Sequence, residues 1–403
     1  MKIAVIGGGA SGLVTAITAM QKARSENKKC EITIFEARDR VGKKILATGN
    51  GRCNMLNTDE APFYFSRNNF HSHAIRSFDA ESNLAFFADL GLYTRTDEEG
   101  RVYPLSNQAT TVLDTLRTEC ERLGVKTKTD CEIKSIKADK NGFALNNEMY
   151  FDKVVLSCGG KAAVKNFNGY DLLSQLGHRV TEIAPSLSKL NTADTKDVKQ
   201  LQGIRHKVTL TLTVDGKFVT KESGELLFAK YGLSGIAVMQ LSAYITRFGK
   251  KQKAVVSADF VPSFTSDELE KAVQRIIAHD EKQRCENLLS GFMPKKLGEV
   301  VLKSISINPG EEVGRLNEKD VAAIVRKAKK YPFPIDSVRS FEDAQVTAGG
   351  ADTEYFNPST MESKLHKGFY AVGEVLDVDG LCGGYNLMWA WSSGRLCGES
   401  IIK

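Results

Sequence analysis

The chain has 403 residues, enough for roughly two to three domains of about 150 residues each. Its 42% hydrophobic and 26% charged content is that of a globular protein, and the formal charge of +6 is spread without a dense basic block, so a nucleic-acid partner is not expected. No run approaches the roughly 18 apolar residues of a membrane span, and the N-terminus opens on a core strand without a signal-peptide pattern, so the expected location is cytoplasmic, with no membrane partner.

Met1–Gly12 reads as an apolar strand ending in Gly7-x-Gly9-x-x-Gly12, followed by a helix over about Ser11–Arg24 with Leu13, Ala16, Ile17 and Met20 at helical spacing. A second strand, Glu31–Phe35, delivers Glu36. Strand, glycine turn, helix and a distal acid together form a dinucleotide cradle. Gly7 allows the tight turn, Gly9 lets backbone approach a pyrophosphate, and Gly12 lets the helix pack on the strand. Ala10 and Ser11 place their amides at the helix N-terminus, where anions are favoured. Glu36 is positioned to accept from a ribose hydroxyl, with Ala37 beside it.

Residues 41–60 read as a long polar loop containing Gly42, Gly49 and Gly51, a length that is usually functional in a regular α/β core. Helical patterns follow at 79–90 and 107–123, then short strands at Cys131–Ile136 and Gly142–Leu145. Lys153–Gly160 is a buried parallel strand ending in Gly159 and Gly160. From about 186 the pattern changes: Lys207–Val214 alternates strictly, Asp215-Gly216 signals a hairpin, and Val255–Val261 adds another strand. Thr265-x-x-Glu268 is a capping box for a helix with Leu269, Val273, Ile276 and Ile277 on one face. Asn317 caps another helix, with Val321, Ile324, Val325 and Ala328 inward, and Tyr331-Pro-Phe-Pro334 ends it. The last block returns to α/β. A strand at Phe369–Glu374 ends in Gly373-Glu374, and a helix opens at Gly383-Gly384 and runs to the C-terminus.

The expected fold class is α/β: a Rossmann-like domain of the two-dinucleotide-binding flavoprotein type. It consists of residues 1–185 and 335–403, interrupted by a β-rich insertion at 186–263 and a helical subdomain at 264–334. A cradle closed by a C-terminal strand and helix favours a flavin over a nicotinamide. No second dinucleotide fingerprint is present, since Ser157-Cys-Gly-Gly160 lacks the spacing. The eight cysteines include no Cys-x-x-Cys pair, and the six histidines lack ligand spacing, so no metal is expected. His71-Ser-His73 would point to opposite sides of a strand and is placed in a solvated loop.

Four blocks carry a resemblance to a known family: Val41–Asn54 with its Gly49-Asn-Gly-Arg-Cys-Asn54 run, Gly100–Ser106, Gly224–Gly235, and Ala344–Gly350 through Gly373–Gly380 to Gly383-Gly-Tyr-Asn-Leu387. Over essentially the whole length the chain resembles the bacterial FAD-binding family that includes aminoacetone oxidase and the bile-acid reductase BaiN. The resemblance implies bound FAD and redox chemistry on a small organic substrate. It places Ile133 against the adenine by its backbone and brings Cys53 and Cys382 near the ring.

Lys43 or Lys44 is a candidate for adenine or phosphate contact, Gly373 and Glu374 for the ribityl chain or pyrophosphate, and Asp377 and Asp379 for shaping that loop. Gly51, Arg52, Cys53, Asn54, Gly159 and Gly160 complete the expected cofactor surface, with Asn50 as a further hydrogen-bonding candidate. The helix start at Gly383, Gly384, Tyr385, Asn386 and Leu387 faces the pyrimidine end of the ring, where N–H donors and the helix dipole stabilise negative charge. Cys53 and Cys382 read as small buried thiols. No catalytic acid or base is assigned. Arg52, Tyr103 and Tyr231 are the candidates for substrate contact or proton donation, and Gly224–Gly235 for the substrate side. The expected activity is an FAD-dependent oxidation of a small molecule such as a primary amine, with O2 as acceptor. The alternatives are an NAD(P)H-dependent reduction of an enone and a non-enzymatic flavin-binding accessory role.

Overall fold

Short apolar runs without alternation build the four buried strands of a parallel sheet, with the exposed Lys126–Lys128 at one edge. In this computed structural model, which describes residues 1–59, 63–162, 164, 167–248 and 252–403, the chain divides into two units. The first comprises Met1–Ala184 and Val346–Lys403, the second Pro185–Gln345.

In the first unit, β1 (Lys2–Ile6), β2 (Glu31–Phe35), β3 (Lys126–Lys128), β4 (Lys153–Leu156) and β5 (Phe369–Ala371) lie in the order β5-β4-β1-β2-β3, all parallel. The crossover from β1 to β2 is helix α1 (Ala10–Ser25). The order reverses at β1, which has β2 on one side and β4 on the other. That switch point opens a crevice at the carboxyl ends of the strands, where such sheets bind ligands. The C-terminal helix (Tyr385–Ile401) lies against α1 through glycines. A Cβ built on Gly394 would stand 2.7 Å from Ser11 O, and one on Gly398 3.0 Å from Thr15 O.

Two stretches depart from the sequence reading. The expected loop at 41–60 contains a short helix, Lys43–Ala47, and a strand, Leu56–Asn57, while residues 60–62 lie outside the described part. The expected strand at Cys131–Ile136 begins only at Ile136, because side chains take the preceding backbone groups. Asn146 Oδ1 accepts from the Lys134 and Ser135 N–H groups, and Asn168 donates to Ile133 O.

The second unit is a closed antiparallel barrel with helices sharing its core. Its strands run Leu190–Thr192, Gly232–Ser234, Lys217–Ala229, Arg205–Val214, Ala254–Asp259, Tyr331–Val338 and back to the first. Asp215 and Gly216 form the hairpin at φ 48° and 77°. Thr265 and Asn317 each complete a capping box. Leu269, Val273, Val321 and Ile324 enter the same core as Leu210 and Val256, so barrel and helices form one body. Tyr331-Pro-Phe-Pro334 follows the end of the helix Glu318–Lys329, as a helix stop should, and also starts the closing strand; the insertion continues to Gln345. Two prolines two residues apart leave the same strand edge without N–H groups and share the exposed face, while Tyr331 and Phe333 point inward.

His71 is not in a solvated loop. It stands at the start of the helix Ser72–Ser77 and is buried, with its Nδ1 2.6 Å from Ser66 Oγ. Burial, with Arg76 adding repulsion, pushes its pKa down to about 4. Burial pushes His178, bonded through Nε2 to Ser363 Oγ at 2.8 Å, down to about 4 as well. Both rings are neutral in the fold, whereas the unfolded chain takes up their protons near pH ~6.5. The stabilisation is therefore complete above about pH 6.5 and is lost as pH falls through about 4. The urea midpoint of the first unit is expected to be lower at about pH 5 than at about pH 7.5, and less so in His71→Gln. Equal midpoints at both pH values would contradict this.

Candidate functional site

The glycine turn after β1 is shaped by backbone contact. Gly7 has φ 106°, and a Cβ there would stand 2.6 Å from Ser157 O. A Cβ on Gly12 would stand 2.1 Å from Gly7 O. Gly9 differs: the nearest atom to its Cβ position is Ser157 O at 4.0 Å, so the space above it is open. Gly9 also precedes α1 without a side-chain cap, and the first amide bond of the helix runs from Leu13 N to Gly9 O at 3.0 Å. The amides of Ala10, Ser11 and Gly12 therefore have no acceptor within the helix. Open space, unpaired donors and the positive end of a helix dipole fit a diphosphate. At the end of β2, the Glu36 carboxylate accepts from the Gly8 and Arg38 N–H groups, each at 3.0 Å, which fixes it beside the turn. Ala37 next to it is exposed, and Ile133 is buried with its carbonyl held by Asn168.

A second loop meets the start of the C-terminal helix. Gly49, Asn50, Gly51 and Cys53 all have left-handed φ, between 55° and 82°. Cys53 is fully buried, and burial pushes its thiol up to about 11, so it is a protonated packing group. Asn54 Oδ1 is buried without a hydrogen-bonding partner and lies 2.8 Å from a Cβ built on Gly384. Gly384 has φ 106° and no room for a side chain, Leu56 O being 2.5 Å from that position. The first helical bond runs from Met388 N to Gly384 O at 3.0 Å, so the amides of Tyr385, Asn386 and Leu387 lack intrahelical acceptors. An orphaned acceptor beside a row of donors matches the alternating edge of a flavin pyrimidine ring.

Other residues expected at the cofactor are drawn together in the same unit. Lys44 Nζ lies 2.5 Å from Glu374 Oε2, and Glu374 Oε1 accepts from Thr347 N at 2.9 Å. A Cβ on Gly160 would stand 2.7 Å from Glu374 Oε1, whereas the Cβ position of Gly159 is open. Gly373 donates to Ser393 Oγ at 3.0 Å, and its Cβ position is 2.6 Å from Ser11 Oγ, next to the cradle. Asn386 has its side chain occupied by Gly380 and Leu381, leaving only its backbone for a ligand. Lys43 pairs with Asp39, Asn50 is exposed, Asp377 accepts from Thr181, and Asp379 is buried. Cys382 is half-buried.

The catalytic candidates are divided between the two units. Arg52 and the buried Tyr103 are neighbours, the guanidinium carbon lying 5.1 Å from the ring centre. Tyr231 belongs to the second unit, where Arg339 covers its ring at 4.3 Å. Arg95, unmarked by any motif, also stands over Tyr103, at 5.2 Å. Thr347, which binds both Glu374 and Ala162 N, is the single polar residue of a three-residue strand and carries no periodic signal.

The Rossmann sheet, the open glycine turn and the helix end define an FAD-dependent oxidoreductase. The model of the family described as HI0933-like protein Rossmann domain matches residues 1–400, and the chain belongs to this family. It is 35% identical to the 3-dehydro-bile acid delta(4,6)-reductase of Clostridium scindens, across 100% of this chain and 99% of that protein. It is also 29% identical to a ribosomal RNA dihydrouridine synthase of Escherichia coli and 28% identical to one of Haemophilus influenzae. Those matches cover 99% of this chain in both cases, and 97% and 98% of the relatives. No helix among the described residues is long and apolar enough to cross a membrane.

Two single-methyl substitutions separate cradle from scaffold. Gly9→Ala is expected to leave the apoprotein's melting temperature unchanged and weaken FAD binding by about tenfold or more, because the methyl fills the diphosphate's space. Gly12→Ala is expected to destabilise the apoprotein by about 1–3 kcal/mol, because it drives α1 off β1. Undiminished FAD affinity in Gly9→Ala, measured by fluorescence titration, would show that the cradle lies elsewhere.

Proposed function

We propose that the chain reduces a carbon–carbon double bond conjugated to a carbonyl in a small organic substrate, with NAD(P)H as a transient electron donor. The observation that carries this reading is the chemistry shared by the relatives. One is named for reducing the delta(4,6) bonds of a 3-dehydro bile acid, and the others for making dihydrouridine, a uridine whose ring double bond is saturated. Both products require a hydride and a proton to add across a bond activated by a neighbouring carbonyl. The lack of a second dinucleotide fingerprint suits a nicotinamide that visits and leaves.

FAD, when bound, supplies the hydride chemistry. The contribution of the chain is to hold and polarise. The amides of Ala10, Ser11 and Gly12 would hold the diphosphate, and the Glu36 carboxylate, fixed by two backbone amides, would hold the adenosine ribose. Asn54 Oδ1 would accept from the ring's N–H, while the amides of Tyr385 to Leu387 would stabilise negative charge at the ring's carbonyl edge. The Tyr385 hydroxyl, donating to Asp59 at 3.0 Å, is pushed up to about 12, first by burial and then by the carboxylate, so it stays protonated.

The FAD-loaded protein should be bleached by NADPH or NADH without air. Its yellow colour should return when a 3-oxo-4-ene bile acid is added, with the saturated acid as product. Uridine and ribosomal RNA are tested in parallel to locate the activated bond. Peroxide release from aminoacetone in air, without bleaching by either nicotinamide, would overturn this reading in favour of amine oxidation.

A further inference from the structure

We propose that Arg52 and Arg95, mounted on the ring of Tyr103, form a docking point for an oxyanion group, a carboxylate or a phosphate, carried by an amphiphilic substrate. The inference deepens the reductase reading and rests on it for what the substrate is, though not for the presence of the site.

The strands Thr94–Thr96 and Arg101–Pro104 pair antiparallel, with Arg95 directly opposite Tyr103. The guanidinium carbons of Arg52 and Arg95 lie 5.1 and 5.2 Å from the centre of that one ring. The two cations are therefore no more than about 10 Å apart. The ring's negative face holds each of them but neutralises neither. Among the described residues no carboxylate stands within ion-pair distance of either group. Arg95 donates to the neutral Asn107 Oδ1 at 2.7 Å, and Arg52 to Gly49 O at 3.3 Å. Of the nearby acids, Asp97 and Glu99 both pair with Arg101. Arginines elsewhere in the unit, such as Arg67, Arg122 and Arg179, do have acidic partners.

Two like charges fixed near one ring repel each other until an anion joins them. A planar guanidinium is suited to grip a carboxylate or phosphate with two parallel bonds. Beside the arginines, Tyr93 and Leu105 are 67% and 60% exposed, and Leu105 N donates to Tyr93 O. They flank the paired strands, Tyr93 just before Thr94 and Leu105 just after Pro104, at the end where Thr94 pairs with Pro104. A charged head flanked by exposed apolar side chains suits a molecule with an apolar body and an anionic end. Arg52 is two residues from Asn54, whose free oxygen faces Gly384, so the anion would dock on the loop that meets the C-terminal helix.

The test uses FAD-loaded protein without nicotinamide and reads the shift of the flavin's visible spectrum on titration. The probes are cholic acid against its methyl ester, and uridine 5′-monophosphate against uridine. Wild type is expected to bind one member of the charged pair about tenfold or more tightly than its neutral counterpart. Arg52→Gln and Arg95→Gln should each remove most of that preference, and Arg95→Lys should keep part of it; in the two Arg95 variants FAD stoichiometry and melting temperature should be unchanged. A preference confined to cholate identifies a carboxylate, and one confined to the nucleotide identifies a phosphate. Equal binding of charged and neutral members in wild type, binding of neither, or a preference that survives in the double variant would overturn the site. Enone reduction without a charge preference would refute only this docking point. A charge preference without enone reduction would refute only the reductase reading.

Discussion

The structure of the first unit depends on backbone approaching backbone where side chains have been removed. At one end, α1 comes so close to β1 that Gly12 faces Gly7 O directly. Along its length, α1 receives the C-terminal helix through Gly394 and Gly398, one turn apart on the same face. These contacts carry the last helix of the chain to the first. Gly373, beside Ser11, then brings the final strand's loop to the diphosphate end of the crevice. The proposed cofactor surface thus draws on residues more than 350 positions apart in sequence, brought together by close contact between glycines and carbonyl oxygens.

Aromatic burial locks this arrangement. Trp389 Nε1 donates to Gly373 O at 3.0 Å and Trp391 Nε1 to Met55 O at 2.8 Å. Each indole contributes a large apolar surface to the core and satisfies its one donor on a loop that shapes the site. Asn386 spends its side-chain amide on Gly380 and Leu381 in the same way. Polar groups of the C-terminal helix therefore hold the loops in place, leaving the helix's own unpaired amides for the ligand. Asn54 Oδ1 stands out against this economy, as a buried acceptor left without a donor where the helix begins.

Where local chemistry decides the structure, the sequence was legible. Strand, glycine turn, helix and Glu36 follow from spacing alone, as do the hairpin at Asp215-Gly216 and the capping boxes at Thr265 and Asn317. Where tertiary context decides, it was not. Tyr331-Pro-Phe-Pro334 carries a strong stop signal, yet alternating burial of Tyr331 and Phe333 makes it a barrel strand. Residues 131–135 look like strand but have their backbone groups taken by Asn146 and Asn168. His71 carries no sign in sequence that it will be buried against Ser66. Of the site, the glycines and the helix start were visible, because special backbone conformations leave residue-type signatures. Arg95 and Thr347 were not, because Arg95 sits in an all-polar strand that looks like surface and Thr347 is a single polar residue in a short apolar strand. The small-residue spacing Gly394 to Gly398 was present in the sequence and would have signalled the helix contact.

The central claim is that both helix starts grip one FAD, α1 at the diphosphate and the C-terminal helix at the ring. Amide hydrogen exchange with and without FAD tests it most directly. The amides of Ala10, Ser11 and Gly12 and those of Tyr385, Asn386 and Leu387 should gain protection together, at the same FAD concentration. Protection of one set without the other, or of neither, would contradict the account.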